Sequence, residues 1–158
     1  MSSGIGHGDK GGVPGITFYA SAEAVLNIGA IPVLIDVEYD TGLISIDSLK
    51  RILSDHNLKA VMPVHIYGLP ANIDEINKLA VAHNFSVIED AAQAQGALLE
   101  SGPMGSSGNL TTFSFYPTKN LSAFGDAGCI LTNSDEHAKT IRAIRNHGRD
   151  NDERLGRN

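Results

Sequence analysis

The sequence predicts an α/β fold: a mostly parallel, mixed sheet with flanking helices. Apolar runs of strand length alternate with amphipathic helical stretches, the order expected of strands joined by crossover helices. The 158 residues fit one domain, and a chain of this size buries about 68–70% of its unfolded surface, enough for a real core. Two segments, VIEDAAQAQGA at 87–97 and TTFSFYPTKNLSAFGDAG at 111–128, each read as an apolar strand ending in polar residues, and that is where ligands gather in such sheets.

The first strand reads as weakened. Gly11 and Gly12 stand where branched residues are favoured, and Pro14 and Gly15 interrupt whatever pairing begins there. Residues Ala22 to Ile28 read as helix and Pro32 to Val37 as strand. A second helix follows Ile46, with Asp47 as N-cap before SLKRIL, and Lys59 to Ile66 read as the next strand. From Ile73 to His83, apolar Ile73, Ile76, Leu79 and Ala80 share one helical face, and Ser86 to Glu89 follow as a strand. Gly96 to Gly108 are rich in Gly and Ser and read as loop. Leu110 to Phe115 and Gly128 to Thr132 are short strands on either side of a polar connector. A last helix starts near Ser134, runs to about Asn146 and stops at Gly148. No internal repeat or low-complexity tract interrupts this order.

Composition sets aside several classes of function. The net charge is −6 and the twelve Lys and Arg are scattered, apart from a tail cluster of Arg142, Arg145, Arg149, Arg154 and Arg157. That is no footprint for nucleic acid. No apolar run approaches the roughly 18 residues that span a membrane. The start lacks a basic segment followed by an apolar one, and the lone Cys129 has no internal disulfide partner, so a reducing, cytoplasmic setting is expected. Cys129, in GCILT, reads as core packing. The six His show no pair at metal-ligand spacing, and His65 and His147 read as structural or loop hydrogen-bonders, so no metal site is expected. Gly6, Gly8 and Gly11 match G-x-G-x-x-G, yet only five residues precede them and Gly12-Val-Pro follows. A phosphate-cradling turn needs a strand before it and a helix after it, so these glycines read as a surface connection.

Asp90, at the end of SVIE, and Lys119, just past TFSFY, are placed to meet at one site. A carboxylate opposite a lysine suggests pyridoxal phosphate. The pyridine nitrogen of that cofactor must stay protonated, which a carboxylate favours, while its aldehyde takes up a lysine amine. A free lysine titrates near about 10.4, so such an amine needs a neighbouring cation or an apolar pocket. Phe113, Phe115 and Tyr116 are candidate walls. Read alone, each residue has another use: Asp90 as N-cap of a helix beginning at AAQAQ, Lys119 as a solvated lysine, Phe18 as core, Ser114 as a turn hydroxyl.

Together the two segments resemble the signature of the DegT/DnrJ/StrS family of nucleotide-sugar aminotransferases, which share the large-domain fold of aspartate aminotransferase (fold type I). The likeness extends through GIGHGDKGGVPGITFYASAEAVLNIGAIPVLIDVE, PVHIYGLPANID and IRAIRNHGRD. It implies that Lys119 forms the Schiff base with the cofactor, Asp90 bonds the pyridine nitrogen and Gln93 contacts the ring hydroxyl side. It further implies that Ser114 donates to the phosphate and Phe18 stacks on the ring. The implied activity is transfer of an amino group from an amino acid, such as glutamate, to a keto group of a nucleotide-linked sugar, by a homodimer. A deoxygenating branch carries histidine in place of the lysine, and Lys119 argues against it.

Family members are more than twice as long. Residues 1–158 are therefore expected to be a fragment of the cofactor-binding large domain, without the N-terminal Gly-Thr phosphate turn and the C-terminal small domain, and inactive alone. Leu69 stands where the family commonly has Gln, and Asn72 where it has Asp. The competing reading is a noncatalytic remnant or regulatory relative that keeps weak affinity for the cofactor; nucleotide binding at the glycine-rich start is a third.

Overall fold

The chain is described by a computed structural model over residues 2–149. Asp150 of the IRAIRNHGRD segment, and Arg154 and Arg157 of the tail cluster, lie outside the described residues.

Strand β1, Lys10–Pro14, is continuous, which corrects the expectation of an interrupted start. It pairs in parallel along its whole length with β2, Ile31–Ile35, and on its other side with β3, Ala60–Val61. The glycines are there because the strand is crowded. A Cβ on Gly12 would lie 2.7 Å from Ile35 Cδ1 and 3.0 Å from Leu58 Cδ1, and one on Gly11 3.1 Å from Val25 Cγ1. Pro14 is tolerated because successive N–H groups point to opposite sides of a strand: Gly15 N–H still donates to Ile35 O at 2.8 Å, so the missing donor falls on the other side. Replacing Gly12 by Val, which strand propensity alone would favour, is expected to lower stability by about 1–3 kcal/mol through overpacking. Urea denaturation reads this, and an unchanged midpoint would show that the core has room.

β3 is shorter than expected. The predicted strand over 59–66 keeps ladder geometry only at Ala60–Val61, because Pro63 brings no donor; beyond it the chain meets β4, Ser86–Asp90, through a single bridge between Val64 and Asp90. Next to β4 lies β7, Leu110–Ser114, also parallel, and then antiparallel β8, Gly128–Leu131. The sheet order is β2-β1-β3-β4-β7-β8, the expected mostly parallel mixed sheet. Within the predicted 96–108 loop, Leu98–Leu99 and Gly102–Pro103 form β5 and β6, a two-residue antiparallel ribbon.

Helices cover both faces. Helix α1, Ala20–Asn27, packs its Val25 with Val13 and Ala60. Helices α2, Ile46–Asp55, and α3, Ile73–His83, bring Leu49, Leu53, Ile73 and Ile76 against Ile35, Val61 and Val87 on the opposite face. Alternation along β3 and β4 assigns Ala60 and Ile88 to one layer and Val61 and Val87 to the other. Each fully buried Leu or Ile, such as Leu49 or Ile76, contributes about 1.5–3 kcal/mol by leaving water.

The cap of α2 is Ser45, whose Oγ accepts from Ser48 N–H; Asp47 sits exposed in the first turn, where it complements the helix dipole instead of capping. Asn72 caps α3 by accepting from Glu75 N–H at 3.2 Å, so it does here the work an Asp would do. Helix α4, Asp135–Arg145, is capped by Ser134 as expected. Cys129 is half-buried on edge strand β8 and is not part of the core. Among the described residues no helix is long and apolar enough to cross a membrane.

Candidate active site

Strands β1, β3, β4 and β7 run in parallel, so their carboxyl ends share one edge of the sheet. There the chain forms a cleft of about 560 Å³, within the size range of small-molecule sites. Phe18, Asp90, Gln93, Ser114 and Lys119 all line it. Asp90 and Lys119 therefore face the same space, the one arrangement their pairing required. Val64, Ile66 and Ala92 supply apolar wall.

Asp90 ends β4 and is fixed at four points. Its N–H donates to Pro63 O at 2.9 Å and its carbonyl accepts from His65 N–H at 3.0 Å. Its Oδ1 accepts from Ala92 N–H at 3.0 Å, and its Oδ2 accepts from Ser21 Oγ at 2.8 Å. The helix that Asp90 alone could have capped does not form, since residues 91–97 are turns and irregular backbone; the bond to Ala92 is an Asx-type turn.

Gln93 accepts the Tyr67 N–H through Oε1 at 2.7 Å. That contact fixes which end of the amide is oxygen and leaves the NH₂ as donor. Tyr67 (φ 57°) and Gly68 (φ 81°) are both left-handed, a conformation uncommon for a bulky residue, and this turn is what aims the amide at Gln93. Ser114 Oγ accepts from Tyr116 N–H at 3.3 Å, so its own proton remains to be donated.

Lys119 follows β7 in a connector closed by two backbone bonds, Phe115 N–H to Ala127 O and Ala123 N–H to Phe115 O, both 2.8 Å. Its side chain is half-buried and makes no hydrogen bond or ion pair among the described residues. Phe18 stands at the mouth, 73% exposed. Of the three aromatic walls expected for Lys119, only Tyr116 lines the cleft. Alternation along β7 turns Phe113 away from Ser114, onto Ala91, Ala94 and Met104, and Phe115 is not part of the lining.

Sequence reasoning missed Ser21 and Thr17, which line the cleft behind Asp90. A signal existed: Ser21 and Val25 are the buried positions of α1, one turn apart, and a hydroxyl on a core-facing position must find a partner. It also missed Glu89, fully buried beside Asp90. Burial alone would raise the Glu89 carboxyl; hydrogen bonds from His65, Ser107 and Asn109 overturn that and hold it below the ordinary glutamate range. His65 is the structural hydrogen-bonder expected, with Nδ1 accepting from Ala71 N–H and Nε2 donating to Glu89 Oε2 at 2.9 Å.

Fold and cleft together define an aminotransferase-type α/β scaffold. The chain superposes on the S. venezuelae DesV crystal structure in complex with a ketimine intermediate with a TM-score of 0.90 at 38% identity, covering 94% of this chain and 40% of that one. An aminotransferase from Psychrobacter cryohalolentis superposes with a TM-score of 0.93 at 36% identity, over 99% and 40% of the two chains. In sequence, the chain is 45% identical over 144 residues to a UDP-N-acetyl-3-dehydro-alpha-D-glucosamine 3-aminotransferase of Acidithiobacillus ferrooxidans, covering 91% of this chain and 39% of that protein. The profile of the DegT/DnrJ/EryC1/StrS aminotransferase family matches residues 1–157, and the chain belongs to that family. It spans about 40% of the length of these relatives.

Proposed function

We propose that this chain is the cofactor-holding part of an enzyme that moves an amino group from an amino acid, such as glutamate, to a keto group on a nucleotide-linked sugar. What supports the reading most is a single observation: among the described residues, one carboxylate, Asp90, and one amine, Lys119, are the only charged side chains lining the cleft, and both open into it. The donor set fits pyridoxal phosphate: a carboxylate for the ring nitrogen, an amide NH₂ on Gln93 for the ring hydroxyl, a hydroxyl on Ser114 for the phosphate and an amine for the aldehyde. When bound, that cofactor supplies an electron sink for the electrons left as a proton departs from the amine-bearing carbon.

The chain's own groups do the rest. Asp90, held by Ser21 and Ala92, would offer its carboxylate to the ring nitrogen. Lys119 would hold the cofactor through Nζ, and its free amine would carry a proton at that atom, a general acid–base contribution of about 10²–10⁴ in rate. Phe18 would stack on the ring face, worth about 0.5–1.5 kcal/mol beyond burial. The nucleotide sugar is the substrate class named for the Acidithiobacillus relative. A homodimer working in the cytoplasm completes the proposal; the exposure of Phe18 and Tyr116, aromatics that line the cleft, supports a partner at this edge.

The test is covalent trapping. Pyridoxal phosphate is added to the 158-residue chain, the mixture is reduced with borohydride, and the modified peptide is mapped. Label on Lys119 is the expected result. Label spread over surface lysines, or none, would overturn the reading, and label without turnover in the full-length enzyme would favour the noncatalytic relative.

A further inference from the structure

We propose that Ser21 is a positioning residue that holds the Asp90 carboxylate in the orientation the ring nitrogen requires, through a two-hydroxyl relay that begins at Thr17. The inference rests on the pyridoxal phosphate reading above and adds to it a residue that no motif in the sequence marks.

Ser21 is 2% exposed, although it stands directly after an exposed stretch in which Phe18 is 73% and Tyr19 64% exposed. A buried hydroxyl needs partners. A helix serine commonly back-bonds to the carbonyl four residues earlier, but Ser21 instead gives its proton to Asp90 Oδ2 at 2.8 Å, across 69 residues of sequence. A hydroxyl has one proton. Its 2.8 Å contact with Thr17 Oγ1 must therefore be donated by Thr17, so the relay runs in one direction, Thr17 to Ser21 to Asp90.

The consequence is rotational. The backbone of Asp90 is fixed by Pro63 and His65, but its carboxylate can still turn about two side-chain bonds. Ala92 N–H holds Oδ1 from the same loop. Ser21 holds Oδ2 from a different element, the first turn of α1, and two bonds from independent directions leave the carboxylate one orientation. Thr17 and Ser21 flank Phe18 in sequence, so one short segment carries both the aromatic at the mouth of the cleft and the hydroxyls that set the acid at its base.

The experiment compares the unaltered chain with Ser21→Ala, Ser21→Thr and Asp90→Asn. It reads pyridoxal phosphate affinity by fluorescence, the pH midpoint of the yellow colour of the Lys119 adduct, and folding by far-ultraviolet circular dichroism. A hydrogen bond to a charged group carries enough energy that its loss in Ser21→Ala should weaken binding by about tenfold or more. The colour midpoint should shift in the same direction as in Asp90→Asn but by less, and Ser21→Thr, which keeps the hydroxyl, should restore both. A folded Ser21→Ala chain with unchanged affinity and unchanged midpoint overturns the inference while leaving the cofactor reading intact. If Ser21→Ala does not fold, Ser21→Thr decides: restoration of both readouts supports the relay, and a folded Ser21→Thr chain with the affinity and midpoint of Asp90→Asn overturns it. No labelling of Lys119 in the unaltered chain overturns both.

Discussion

Replacing Lys119 with Ala is expected to abolish borohydride-stable incorporation of pyridoxal phosphate, and Lys119→Arg to do the same although it keeps the charge. The argument is one of chemistry and access together. Only a primary amine can bond to the aldehyde carbon, and an arginine guanidinium, always protonated in proteins, cannot. Of the described side chains that line the cleft, only Lys119 carries such an amine, and it is held there by a connector whose backbone is closed at Phe115 on both sides. Neither substitution touches the core, since Lys119 is half-buried and its side chain holds nothing in place among the described residues. Loss of label should therefore come with unchanged unfolding midpoints, read by mass mapping and urea denaturation on the same samples. Residual label at full yield in Lys119→Ala would assign the amine to another lysine and remove the basis of the proposed reaction.

How far the sequence carries the reader depends on the range of the forces involved. The helix expected from about Ile73 to His83 forms as Ile73–His83, because its apolar period is a local signal. That Asp90 and Lys119 could meet was legible from two strand-ending segments, whereas Phe18, Gln93 and Ser114 were expected only through the family resemblance; all five line one cleft. What was not legible is set by contacts between distant residues. Gly11 and Gly12 look wrong for a strand until Ile35, Leu58 and Val25 are seen to fill the space their side chains would take. The strand over 59–66 looked long because apolar residues continue through it, yet a ladder needs donors and Pro63 has none. Ser21 and Asp90, 69 positions apart, carry no shared local signal at all. At the other end the expected terminator holds: Gly148 N–H closes the helix onto Ala143 O.

The largest effect on stability is expected at Glu89, one residue from Asp90. Its carboxylate is fully buried and ties together two segments, at His65 and at residues 107–109. Oε2 takes the His65 proton, while Oε1 accepts from Ser107 Oγ and from Asn109 Nδ2, the latter at 2.8 Å. Asn109 in turn donates to Asn77 Oδ1 on α3 at 3.0 Å. Removing one member of such a buried set leaves the others unpaired, so Glu89→Ala should cost about 3–5 kcal/mol, a large share of the 5–15 kcal/mol that holds a typical domain together. The pH dependence has a definite sign. The folded-state carboxyl lies below its ordinary value, so its contribution is fully present above about pH 4.3, the ordinary glutamate range, and is lost as pH falls through the lower folded value. The difference in urea midpoint between the unaltered chain and Glu89→Gln should hold from about pH 7 to 5 and shrink on acidification towards about pH 3; a difference that stays constant over that whole range would show that Glu89 is not the group that titrates. The effect reaches the cleft by a short path. His65 donates its N–H to the Asp90 carbonyl and precedes the left-handed turn at Tyr67 that orients Gln93, so the charge buried behind β4 sets the positions of both groups that face the cleft in front of it.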